Sequence, residues 1–190
     1  MPTFRVYHGS GSEFTEFQQS AARVKDDYYG GGIAYFTDDK AVASQYAKAM
    51  TKIAKSKNPL ASEKIYTVTL NINKLFDIDA IYTGKELTKF ISNAEDFARK
   101  AGMLNLGVDK YDVISRLKSG DYELTGDQIF RGLSGGMNYT EKAREQLKRM
   151  GYDGLRYNGG MTKGWGSGKK HNVYIPYYPD RIKIVDIKPL

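Results

Sequence analysis

Three short segments of this 190-residue chain carry residue types that can do chemistry. The first, Tyr7-His8-Gly9-Ser10, ends the alternating stretch Phe4–His8. A glycine at a strand end lets a ligand approach the main chain, whose N–H and C=O groups can clamp a planar carboxamide. The second is Tyr35-Phe36-Thr37, with Tyr46 eleven positions after Tyr35. If Tyr35 closes a strand and Tyr46 lies two to three turns into the next helix, both rings reach one pocket. Two aromatic walls then make a slot for a flat cationic ring. The third is His171-Asn172-Val173-Tyr174-Ile175-Pro176, a late strand behind a glycine-rich stretch. Taken singly, each has a duller explanation. His8 can be a hydrogen-bonded structural residue, Tyr35 and Tyr46 core or surface filler, and Gly30–Gly32 only a turn.

The elements that must hold these segments follow from pattern. Phe4–His8 reads as a strand entering a loop at Gly9-Ser10-Gly11-Ser12, and Ile33–Phe36 as a second short strand. Thr37-Asp38-Asp39 supplies an N-cap and acidic first-turn residues for a helix running to about Lys55, which Asn58-Pro59 stops. Lys64–Ile72 is the clearest strand, β-branched at period two. Helices are expected over roughly Lys85–Lys100, Lys110–Lys118, Asp127–Leu133 and Thr140–Met150. Gly151–Gly154 turns the chain into a strand at Leu155–Tyr157, and Asn158–Lys170 reads as a flexible loop holding the only Trp, Trp165, a candidate partner contact. Asn172–Tyr177 and Arg181–Ile187 close the chain as strands. Strands flanking a run of helices indicate an α+β fold.

Composition narrows the chemistry. The absence of cysteine excludes disulfides, a thiolate nucleophile and Cys-ligated metal, and two histidines, His8 and His171, make a His-rich metal site untenable. No metal is expected. A net charge of +7, with lysines at Lys48, Lys52, Lys55, Lys57, Lys163, Lys169 and Lys170, favours anionic partners. The Lys48–Lys57 group reads first as a solvated helix face. Neither a signal peptide nor a membrane span is evident, so a cytoplasmic site of action is expected, in the producing cell or a host cell.

The stretches YHGS, GGGIAYFTDDKAVASQYA, GYDGLRY and NVYIPYYPDRIKIV, in this order and spacing, resemble the ADP-ribosyltransferase superfamily. The likeness is to its His-Tyr-Glu, diphtheria-toxin-like type and to phage-borne and polyvalent-protein transferases, and it reaches from Val6 to Val185. It implies one domain over residues 1–190, with split antiparallel sheets around an NAD cleft and a helical insert at about 85–150. NAD would be the co-substrate. His8 would hydrogen-bond a ribose of NAD, Gly9 would clamp the nicotinamide carboxamide, and Ser10, Phe36 and Thr37 would line the site. Tyr35 and Tyr46 would stack on nicotinamide.

The family also uses a late-strand glutamate that binds the ribose 2′-hydroxyl and stabilises an oxocarbenium-like transition state. Matching the strands sets Asn172 at that position. An amide can still bond a hydroxyl but brings no charge, so Asn172→Glu is expected to raise NAD hydrolysis. The alternatives are a shifted register or a carboxylate from Asp26, Asp27 or Glu63. His8, Tyr35 and Asn172 are thus the catalytic candidates. The function implied is transfer of ADP-ribose to a macromolecule, protein first and nucleic acid second. The other readings are a weakly active or inactive NAD- or ADP-ribose-binding module, and a basic nucleic-acid-binding domain without cofactor.

Overall fold

The computed structural model describes residues 2–19, 29, 33–105, 107–135, 140–160 and 169–190. Gly30–Gly32, Asp26, Asp27, Lys163 and Trp165 lie outside these residues. The chain divides into two compact units, the first formed by Met1–Ser20, Ile33–Leu75 and Tyr152–Leu190, the second by Ala21–Gly32 and Phe76–Gly151. Together they make an α+β protein with a largely antiparallel sheet and six described helices.

The strands of the first unit are β1 (Thr3–Ser10), β2 (Phe36–Thr37), β3 (Lys64–Asn71), β7 (Gly154–Gly159), β8 (His171–Pro176) and β9 (Ile182–Pro189). β4 (Leu75–Asp77) carries the chain onward into the second unit. The sheet runs β4-β7-β8-β2-β1-β3-β9. β3 lies inside the sheet, one strand from its edge: Ile65, Tyr66, Val68 and Leu70 are all buried, and it pairs with β1 on one side and β9 on the other. β1 and β3 register over their full lengths, from Thr3↔Asn71 to Ser10↔Lys64. By contrast β1 and β2 share one registered pair, Tyr7↔Thr37. This seam is the shortest of the registered pairings along β2, β1 and β3.

Alternation along β1 sends its residues to two different cores. Val6 joins Phe36, Tyr66, Val68, Leu70 and Tyr174 on one face, while Tyr7 packs with Ile65, Ala43 and Ala47 on the other. The second face is covered by α1 (Lys40–Ala54), whose N-cap Asp39 accepts hydrogen bonds from Ala41 N at 2.8 Å and Val42 N at 3.2 Å. Such a cap stabilises a helix by about 1 kcal/mol. Ala43 and Ala47 are small enough to let the helix settle onto the strand backbone, and both are fully buried.

The second unit holds the antiparallel pair of β5 (Ile81–Tyr82) with β6 (Leu124–Thr125) and five helices: α2 (Gly84–Thr88), α3 (Ala94–Lys100), α4 (Lys110–Ser119), α5 (Gly126–Ser134) and α6 (Thr140–Arg149). The single helix expected over Lys85–Lys100 is two. Asn93 accepts from Asp96 N at 3.0 Å, and this cap restarts the chain as α3 after a turn at Lys89–Phe90. α5 has a capping box between Thr125 and Gln128 and meets α3 at Gly132, where a Cβ would lie 2.4 Å from the Phe97 ring. Among the described residues no helix is long and apolar enough to cross a membrane.

Candidate functional site

Every candidate in this site belongs to the first unit. His8, half-buried, sits on the Val6 face of β1 among the rings of Phe17 at 5.2 Å, Phe36 at 5.6 Å, Tyr66 at 6.0 Å and Phe14 at 6.2 Å. Its Nδ1 lies 2.9 Å from the carbonyl oxygen of Tyr35. A carbonyl can only accept, so Nδ1 carries the proton and, in the neutral ring, Nε2 is the acceptor end. This contact crosses the seam just beyond the Tyr7↔Thr37 pair. It also explains why the strand expected over Ile33–Phe36 is only Phe36–Thr37: the Tyr35 carbonyl takes a side-chain donor in place of a ladder bond. Ile33 and Ala34 are instead buried in the core beside Phe36.

Gly9 has a packing role that its sequence context did not suggest. A Cβ there would lie 2.0 Å from the carbonyl oxygen of Ala43 and 2.5 Å from the nitrogen of Ala47. The glycine is therefore required by α1, whatever else approaches its main chain. Ser10 is buried and its Oγ accepts from Ser12 N at 3.2 Å, which tightens the loop after β1. Phe36 is buried in ring contact with His8 and Phe17. Thr37 is buried, and its Oγ1 accepts from Asp39 N at 3.1 Å.

Tyr46 lies on α1 next to Ala43 in the i, i+3 row and immediately before Ala47, hence on the flank of the helix face that covers Gly9. Burial pushes its hydroxyl above the ordinary phenol value, so it remains a donor at neutral pH. Tyr35 is tied to His8 through its carbonyl, and the helix face that Tyr46 flanks meets Gly9 at Ala43 and Ala47.

Asn172 stands in β8, one residue before the Val173↔Thr37 pair. Its side-chain Nδ2 donates to Asp38 Oδ2 at 2.6 Å, and its backbone N donates to Asp38 Oδ1 at 2.9 Å. Asp38 N donates in return to Asn172 O at 3.3 Å. Sequence reasoning missed this carboxylate: it read Asp38 as a first-turn helix acid, but the first turn of α1 holds no acid and Asp38 lies before the cap. Tyr174 marks its field, since burial and then the Asp38 charge raise the Tyr174 hydroxyl, while Arg156 opposes them. Glu63 is elsewhere. Through the pairs Val173↔Thr37, Tyr7↔Thr37 and Tyr7↔Thr67, it stands about five residue steps along the strands and three strands across the sheet from Asn172, on the order of 20 Å.

His171 is structural. Its Nδ1 donates to Lys169 O at 2.8 Å, and its ring fills the space where a Cβ on Gly159 would sit. The Lys169 ammonium pairs with Asp39, and that contact, with the N–H groups of Val42 and Ala41, holds the Asp39 carboxyl below the usual carboxylate range.

No curated protein matches the chain. Among solved structures it is similar to a chain of the crystal structure of the M. tuberculosis MbcT–MbcA toxin–antitoxin complex, with 11% identity over 99% of this chain and 84% of that one, at a TM-score of 0.46. The family described as ADP-ribosyltransferase in polyvalent proteins matches residues 2–188, nearly the whole length. The chain belongs to that family.

Proposed function

We propose that the chain transfers ADP-ribose from NAD to a macromolecular acceptor, a protein first, and releases nicotinamide. The observation that carries this reading is the His8–Tyr35 hydrogen bond across the β1–β2 seam. It ties the main chain at Tyr35 to His8, and this reading assigns the ring's Nε2 to a ribose hydroxyl and the Tyr35 and Tyr46 rings to nicotinamide. In the proposed reaction the bond from ribose C1′ to the nicotinamide nitrogen breaks. Its electron pair leaves with nicotinamide, which becomes neutral, and the positive charge remains on the ribose. A nucleophilic atom of the acceptor then bonds C1′ and gives up its proton.

Within this reading His8 binds and orients a ribose, Gly9 offers main-chain groups to the carboxamide, and Tyr35 and Tyr46 stack on the nicotinamide ring. Ser10, Phe36 and Thr37 shape the walls. Asn172 accepts from the 2′-hydroxyl. Rate depends on groups that act on the developing charge, and affinity on the stacking and hydrogen-bonding groups.

A nucleic-acid acceptor is the second reading, favoured by α1 and its continuation: Lys40, Lys48, Lys52, Lys55 and Lys57 follow one another with no acidic residue between Asp39 and Glu63. Incubation with NAD labelled in its ADP-ribose half and a cell lysate tests both. Label on protease-sensitive material supports the protein acceptor, and label on nuclease-sensitive material supports the second reading. Label that stays bound and untransferred identifies a binding module, and label that is ignored rejects NAD use.

A further inference from the structure

We infer that Asp38 is a positioning residue for Asn172: its carboxylate fixes the amide so that Oδ1 is the end offered to the ribose, and it lends that oxygen negative character. The inference rests on the NAD-dependent reading above. Three hydrogen bonds join the two residues, two of them to the carboxylate. A carboxylate is an acceptor only, so the NH2 end of the amide must face it and the carbonyl end must face away. Among the described residues Oδ1 accepts no hydrogen bond, which leaves it as the acceptor end of the pair.

The pair can thus do what a glutamate would do, divided between two side chains. Asn172 supplies the atom that takes the 2′-hydroxyl hydrogen bond. Asp38 supplies the charge, and an amide that donates to an anion is polarised toward a more negative carbonyl oxygen. No proton needs to move between them. As the C1′–nitrogen bond breaks, positive charge grows on the ribose while the Asp38–Asn172 unit stays fixed. The stabilisation therefore falls on the transition state and leaves NAD affinity nearly unchanged.

Asp38 also reverses the expectation for Asn172→Glu. That change removes the Nδ2 donor and sets a second carboxylate against the first, and two adjacent carboxylates do not both ionise readily. The single substitution is therefore expected to lower NAD hydrolysis. Exchanging the two groups, Asp38→Asn with Asn172→Asp, keeps the size and the hydrogen bonding of the pair and moves the charge to the β8 position.

The test measures kcat, KM and melting temperature for NAD hydrolysis in the native protein, Asp38→Asn, Asn172→Asp and the exchanged pair. Asp38→Asn should lower kcat about 100-fold, the lower end for removing one group that stabilises transition-state charge, with KM and melting temperature near native values. Asn172→Asp should also be slow, and the exchanged pair should be faster than either single variant. Native kcat in Asp38→Asn overturns the inference and leaves the NAD reading intact. So does a parallel loss of kcat and melting temperature without recovery in the exchanged pair, which marks a purely structural contact. If Asp38→Asn does not fold, the exchanged pair decides: activity above that of Asn172→Asp supports the inference, and activity no higher overturns it. A native protein that neither binds nor hydrolyses NAD overturns both.

Discussion

Gly9 and Ala43 meet backbone to backbone: the hydrogen-bearing face of Gly9 Cα points at the Ala43 carbonyl, where a Cβ would come within 2.0 Å. No side-chain rotation can relieve such a clash, because the opposing atoms belong to the helix main chain. Gly9→Ala should therefore cost about 3 kcal/mol, the upper end for overpacking. Chemical denaturation measures this, and an unchanged midpoint with an unchanged slope would refute it.

Tyr35 and Tyr46 are predicted to carry NAD affinity. Replacing either with Ala should weaken binding by about 1–3 kcal/mol, as for bases stacked on aromatic rings. Tyr35→Phe keeps the stacking face and should be milder. Titration calorimetry on folded variants decides the point, and native affinity in both Ala variants removes the stacking role.

His8 is predicted to act by hydrogen bonding and not as a general base. Activity lost in His8→Ala should track NAD affinity, and the native pH profile of kcat should contain no limb that disappears in the variant. The appearance of such a limb would assign His8 a proton-transfer role. Because His8 also packs against four rings, His8→Gln is the better binding probe: it removes the ring but keeps a polar acceptor.

Asp39 is predicted to make the start of α1 acid-sensitive. Its carboxyl is held below its ordinary value, chiefly by Lys169. A depressed carboxyl stabilises the folded state above its unfolded value, about 3.9, and loses that contribution as pH falls through the folded one. Asp39→Ala should lose about 1 kcal/mol at neutral pH from the cap. Asp39→Asn should retain most of the cap, and its stability difference from the native protein should vanish in strong acid. Melting curves between pH 7 and acid for both variants test the sign.

The legible parts of the fold were those whose signals are local. β3 and β9 alternate, α1 begins at a capping acid and ends before Asn58-Pro59, and each appears within a residue or two of its expected place. β4, β5 and β6 are two or three residues long, too short for a period-two pattern to register. Asn93 belonged to an apparently continuous helix because its capping bond to Asp96 competes with helix continuation only once the turn has formed. Among the site candidates, the segments around His8 and Tyr35 stood out by residue type, and the structure joins them by a hydrogen bond. Asp38 did not stand out, since its partner is 134 residues away and nothing near it in the chain indicates that pairing.

That separation gives the site a history as well as a shape. His8, Tyr35, Asp38 and Tyr46 are all synthesised within the first quarter of the chain, while Asn172 arrives near its end. Until β8 and β9 are made, the outer edges of β2 and β3 have no strand to pair with. A nascent chain halted before Asn172 thus carries most of the candidate site residues but an unfilled sheet, and joining its distant ends is the slow, entropy-limited step of long-range strand pairing. The Asp38–Asn172 contact therefore forms only when the chain is nearly finished.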